Sequence, residues 1–305
     1  MAQSKKNVFE IFMEGLGIYL KHSPTLMKYM FFPVFGQLIG VILSFALSLG
    51  FAYTIGSKIS DTTLSFSITM ALAIPGLIIF AKAFWEYLIA YVSICSMTEN
   101  TIKSGRIYDI NAHKKVATMS KRMGDFITLW LLFGLFTLVA IIPPMWIIAI
   151  VAFVFICLIF QVFTFEKNLS VIDCFKRSAK LVVRDFGGTV GLLLILGICT
   201  YFLLPKITEF LLTLIQAVNL FAMLLEPMIA NILPIDNWNS AFEALGQNYM
   251  ITSLEVAKIT ISSVISWFVV SITLPLRSIC FTLWYKQLSI SEIKSKKKGA
   301  KTKDV

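Results

Sequence analysis

Of the 27 lysines and arginines in this chain, 22 fall in alternate connections between long apolar runs. Four lie in residues 1–29, six in 98–125, five in 166–187 and seven after Tyr285. Cytoplasmic loops of membrane proteins carry this excess of Lys and Arg. The other connections hold few cations (Lys58, Lys206, Lys258) and more acids, among them Asp61, Glu209, Glu226 and Glu255. The pattern predicts a polytopic membrane protein, an all-α helix bundle with its N- and C-termini in the cytoplasm.

Composition agrees. The chain is 57% hydrophobic and 14% charged, against about 45–50% and about 25% in soluble domains. A net charge of +10 also raises nucleic acid as a partner, but the cations flank apolar runs. There they face anionic headgroups, at about 1 kcal/mol each near the surface. Anionic membrane lipids are therefore the expected partners, and nucleic acid is not. The first 29 residues contain Glu10 and Glu14 and lack the basic, apolar, small-residue order of a cleavable signal. The five cysteines form no C-x-x-C pair, and small buried hydrophobes are the expected role.

About 20 apolar residues cross the ~30 Å hydrocarbon layer. Six segments qualify: about 30–56, 66–97, 125–142, 145–165, 187–205 and 256–285. Pro75-Gly76 predicts a kink or break in the second, and Pro143-Pro144 a tight outer turn between the third and fourth. Residues 206–250 are expected to form an outer cap, with 206–235 either re-entrant or lying on the surface, followed by a polar part containing Trp238 and Tyr249. Residues 1–290 thus read as one membrane domain and 291–305 as a basic disordered tail.

Three basic loops read as amphipathic helices in the inner leaflet. In 172–186, Lys176, Arg177, Lys180 and Arg184 form one face, and Ile172, Phe175, Ala179, Val182, Val183 and Phe186 the other. In 112–127, Lys114, Lys115, Lys121 and Arg122 oppose Val116, Met119, Met123 and Ile127. Near the N-terminus, Phe9, Phe12, Leu16 and Tyr19 oppose Glu10, Glu14 and Lys21. Each such helix runs into a span, a loosely repeated unit.

The stretch from Glu166 through Arg177, Ser178, Leu181 and Val182 to Phe186, followed by Gly187-Gly188, resembles the membrane domain fused to some bacterial glycerophosphodiester phosphodiesterases. It also resembles related six-helix membrane proteins. There the fourth span ends at a Glu, a helix with Arg-Ser follows, and an aromatic opens the fifth span. Pro275, Leu276 and Tyr285 are similar to that family's ending of the sixth span. Asp173-Cys174-Phe175 and Ala179 depart from the family's Ala-Leu and Trp, and Lys286-Gln287-Leu288 from its Asp-Leu-Arg. The resemblance implies a six-span fold and a bacterial cytoplasmic membrane. It carries no enzymatic role, since the phosphodiesterase domain is not part of this match.

Lys82 and Glu86 stand one helical turn apart inside the second span, near mid-membrane by residue count. Ionisable residues inside a span are functional candidates, and Arg277 in the sixth span either snorkels to the interface or joins them. Gly36/Gly40 and Gly187/Gly191 are G-x-x-x-G pairs for close helix approach, within the bundle or in a homodimer. His22 and His113 are expected on loop surfaces. There is no G-x-S-x-G, Walker A, H-E-x-x-H or G-x-G-x-x-G motif, so no metal, cofactor or catalytic residue is expected. The leading reading is a non-enzymatic scaffold or accessory protein engaging anionic lipid or partner proteins. The alternatives are a transporter or export factor with a polar site at Lys82/Glu86, and a membrane-embedded lipid enzyme.

Overall fold

The computed structural model describes residues 6–107, 110–118, 120–246 and 250–301, apart from the side chains of Tyr53, Ser57, Ser120, Lys121 and 292–301. It is 89% helical, with no strand among the described residues. The helices are α1 (Val8–Lys21), α2 (Ser23–Thr54), α3 (Thr62–Ser104), α4 (Ile110–Thr118), α5 (Ser120–Val139), α6 (Trp146–Ile156) and α7 (Ile159–Phe165). They continue with α8 (Val171–Arg184), α9 (Phe186–Gly197), α10 (Leu204–Leu214), α11 (Ala217–Ile232), α12 (Ile235–Ala244), α13 (Ser253–Ile272) and α14 (Leu274–Lys301).

Six stretches are long and apolar enough to cross a membrane: Ser23–Ala52, Thr62–Ser104, Arg122–Val139, Pro143–Phe165, Phe186–Leu214 and Ser253–Ser291. All six expected spans are present, and most extend further than expected. Residues 198–203 are wound as a π-helix between α9 and α10, which lengthens the fifth. Helices α11 and α12 form a pair bent by 74° that would count as a seventh span if taken together. Pro75 lies inside α3 without ending it. The turn at Pro143-Pro144 is a single 3-10 turn, Pro143–Met145. Backbone helix continues to Lys301 over part of the tail expected to be disordered. The side chains of Lys294–Lys303 and of Tyr249 lie outside the described residues.

The chain divides into two compact units, Met1–Leu193 with Leu274–Val305, and Leu194–Thr273. The first contains two zones. From Thr62 to Phe84 the helix α3 is largely exposed: Leu64, Phe66, Met70, Ile74, Leu77 and Ile78 are each at least 50% exposed, and only Gly76 and Ala83 are buried. From Trp85 to Thr101 no residue is exposed. The fourth span changes in the same way, from exposed Ile147, Ile148 and Ile150 in α6 to a fully buried run at 158–164. Residues 274–289 of α14 have no exposed member either. Apolar side chains are thus exposed in one zone and buried against protein in the other.

Close approach sets the α2–α3 pairing. A Cβ on Gly40 would stand 2.6 Å from the Phe80 nitrogen, and one on Gly36 2.7 Å from the Ala83 Cβ. Gly76, opposite, faces the backbone of Gly40 and Ser44, and Ser44 Oγ donates to the Ala73 carbonyl at 3.0 Å. Gly36/Gly40 thus serve packing within the chain. The second pair does not: a Cβ on Gly187 meets nothing within 4 Å, and one on Gly191 only Val8 at 3.7 Å. The glycine in close contact is Gly188, against the Trp284 ring.

The second unit is built differently. Its core is small, Ala222, Ile229 and Ala257, with Leu225, Leu233 and Leu254 packed around it. Hydrogen bonds supplement it: Ser262 Oγ to Glu209 Oε1 at 2.6 Å, Ser253 Oγ to Glu226 Oε1 at 3.1 Å, and Asn239 with both backbone groups of Ile251. Its helices leave Phe210, Phe221, Met223 and Leu224 more than half exposed.

Candidate functional site

The residues singled out by the family resemblance converge on one carboxylate. The fourth span stops at Glu166, whose N–H donates to the Val162 carbonyl at 2.8 Å. A short turn leads to Ser170, which caps α8 by accepting from the Asp173 N–H at 3.2 Å. Eleven residues after Glu166, α8 brings Arg177 back over it. Arg177 Nε donates to both carboxylate oxygens, at 2.9 and 3.0 Å. Tyr285 of α14 donates its hydroxyl to Oε1 at 2.9 Å, and its ring stacks on Phe165 with centroids 5.4 Å apart.

The neighbouring residues extend this junction. Ser178 Oγ donates to the Phe155 carbonyl at 2.7 Å, beside the break between α6 and α7, and Phe155 meets the Phe186 ring at 5.8 Å. Trp284 Nε1 donates to Thr189 Oγ1 at 3.0 Å. Glu166 and Arg177 keep 25% and 21% of their side-chain area exposed. With Arg177 and Tyr285 both donating to one carboxylate, the arrangement ties the fourth and sixth spans to α8.

The departures from the family pattern also have partners. Lys286 Nζ lies 3.4 Å from Glu99 Oε1. The Gln287 side chain accepts from the Lys6 N–H and donates to the Lys6 carbonyl, both at 2.9 Å, holding the entry to α1. Cys174 is buried, and that burial pushes its thiol up to about 11, so it remains protonated and inert.

Helix α8 corrects the expected two-faced helix to a three-sided one. Cys174, Ser178, Leu181 and Val182 are buried against protein. Ile172 and Val183 are 62% and 66% exposed and Phe186, just beyond the helix, 47%. Lys176, Lys180 and Arg184 are exposed beside them, whereas Arg177 turns inward to Glu166. Helix α1 repeats the plan, with Ile11 and Gly15 buried and Phe9, Met13 and Leu20 exposed. Phe9, on the apolar face expected from the sequence, is 61% exposed.

The second basic loop departs most from expectation. Lys115 is exposed, but Lys114 Nζ pairs with Glu86 Oε2 at 2.6 Å. Arg122 lies 4.1 Å over the Phe163 ring and donates to the Phe163 carbonyl. Both cations are engaged within the protein instead of facing lipid. Lys121 lies outside the described side chains. His113 is buried at 9% exposure, with Nδ1 2.8 Å from Ser96 Oγ, because α4 packs on α3.

Glu86 thus pairs with Lys114, 28 residues away, and not with Lys82. Lys82 sits 5.8 Å over the Phe32 ring. Arg277 is 7% exposed within α14, so it does not snorkel. Lys82 and Glu86 line a groove of about 790 Å³ between α2, α3 and α4, together with Lys28, Tyr29, Phe32 and Lys114. Among the described residues Lys28 and Lys82 have no carboxylate within 4.0 Å. Beyond Glu86 the helix α3 is closely packed, with Ile89, Ala90, Val92 and Ile94 at 0–3% exposure.

The sequence drew attention to Lys82 and Glu86 but not to Lys28, Tyr29 or Phe32. Those belong to another helix, and their only sequence signal was a lysine one turn before an aromatic cluster. No group of three or more His, Cys, Asp or Glu suited to a metal occurs among the described residues. Comparison with protein-family profiles, with curated protein sequences and with solved structures finds no match.

Proposed function

We propose that this is a non-enzymatic, multi-pass accessory protein of a bacterial-type cytoplasmic membrane. Its basic helices engage the anionic inner leaflet, and both termini lie in the cytoplasm. The observation that supports this best is the three-sided α8: a protein face, an exposed apolar edge at Ile172 and Val183, and an exposed basic edge at Lys176, Lys180 and Arg184. A helix with those edges lies in the headgroup plane, its apolar edge about 5–10 Å deep. Each cation there contributes about 1 kcal/mol toward an anionic surface.

The membrane boundary implied by α3 is consistent with this reading. The twenty residues from Thr62 to Ala81 already rise about 30 Å, the hydrocarbon thickness. The exposed apolar stretch ends near Phe84; on this reading Lys82 lies at headgroup level and not mid-membrane. The family resemblance belongs to the same reading, since its residues form the junction that presents α8.

A spin label on Val183→Cys in nanodiscs tests the proposal. Oxygen accessibility should exceed that of a water-soluble nickel reagent at 183, with the reverse at Lys180→Cys. Water-like accessibility at both positions would refute it.

A further inference from the structure

We infer that the groove between α2, α3 and α4 is a binding site for the phosphate of an anionic phospholipid. The inference rests on the inner-leaflet reading above, and adds to it a specific stoichiometric site.

Charge is the first argument. Three lysines and one glutamate line the groove, and Lys114 with Glu86 forms a 2.6 Å pair. Lys28 and Lys82 remain as two cations without a carboxylate partner among the described residues. They come from different helices, α2 and α3, whose spacing is fixed by the Gly36, Gly40 and Gly76 contacts. Two cations lining one groove suit a group that offers several acceptor oxygens, which a phosphate does.

Depth is the second. Lys82 follows about 30 Å of largely exposed apolar helix, and Lys28 directly precedes the exposed Phe31 and Phe32 of α2. Both ammonium groups therefore stand where exposed apolar surface gives way to protein, the level of lipid phosphates.

The walls favour a lipid over a soluble phosphate. Phe32 lines the groove and is 41% exposed. Phe31, Ile78 and Phe84 are exposed at 60%, 62% and 43% within one helical turn of lining residues. An acyl chain can follow that surface while its phosphate occupies the groove. The Glu86–Lys114 pair then acts as a counter-charge that limits affinity, so neutralising Glu86 should tighten binding.

Native mass spectrometry of the full chain released from nanodiscs tests this, with phosphatidylglycerol or phosphatidylcholine as the lipid. The wild type should retain one phosphatidylglycerol and no phosphatidylcholine. Lys28→Gln with Lys82→Gln should weaken retention about 25-fold, about five-fold for each cation lost. Lys28→Arg with Lys82→Arg should restore it, and Glu86→Gln should strengthen it. Undiminished retention in the double Gln variant would overturn the proposal, as would equal retention of phosphatidylcholine. Displacement of the lipid by millimolar inorganic phosphate alone would reassign the site to free phosphate and overturn the lipid claim. Lys176→Gln with Lys180→Gln and Arg184→Gln should reduce the broad, salt-sensitive lipid shell yet leave the one retained lipid. Loss of the shell effect alone would count against the α8 reading and not against the groove.

Discussion

The packed zone of the first unit and the whole of the second unit draw on the same apolar residues and use them oppositely. Around Glu166, α7 and residues 274–289 of α14 have no exposed member, α8 buries one side, and a single carboxylate receives Arg177 and Tyr285. The second unit has a small apolar cluster at Ala222, Ile229 and Ala257 and leaves Phe210, Phe221 and Leu224 open. Hydropathy does not separate a side chain that meets protein from one that meets lipid. The difference lies in polar anchors. A half-buried carboxylate that holds two donors fixes three helices at once, whereas an isolated Ser–Glu hydrogen bond fixes two.

That contrast can be broken by mutation. Glu166→Ala leaves Arg177 and Tyr285 without their shared acceptor. Removing one partner of a buried ion pair costs about 3–5 kcal/mol, and the partial exposure here brings the expectation to the low end, about 3 kcal/mol. The midpoint of thermal unfolding in detergent, with and without the substitution, measures it; an unchanged midpoint would mean that the junction is not an anchor.

Gly76→Ala should follow, at about 1–3 kcal/mol of overpacking, since a Cβ there meets the backbone of Gly40 and Ser44. Gly187→Ala, which meets nothing within 4 Å, is the internal control and should lie within about 0.5 kcal/mol of wild type. Equal effects of the two would remove the distinction between the glycine pairs.

The smallest effect belongs to the second unit. Ser262→Ala deletes the 2.6 Å bond to Glu209, while Lys206 still pairs with that carboxylate at 2.8 Å. The expected loss is about 1 kcal/mol. A loss as large as that of Glu166→Ala would show that the second unit is anchored as firmly as the first.

Much of the fold was legible because a hydrocarbon layer imposes a length on any helix that crosses it. The six spans, the Pro143-Pro144 turn and the order of amphipathic helix before span all follow from local pattern. What was not legible is long-range. The Glu86–Lys114 pair joins residues 28 apart, and helical spacing favoured Lys82 because it is one turn away. Residue count alone does not fix the level of Lys82, because α3 is about 64 Å long, about twice the hydrocarbon thickness. Glu166 and Tyr285 were found by resemblance alone, since nothing in their spacing announces that a carboxylate and a phenol 119 residues apart will touch.

The Gln287 clasp on Lys6 bears on how the chain is made. Lys6 leaves the ribosome 281 residues before its partner, and Glu166 and Thr189 also precede the α14 residues that satisfy them. During synthesis, the protein-facing side of α1 therefore stays uncovered until α14 emerges, whereas α8 already has α6 and α7 to pack against.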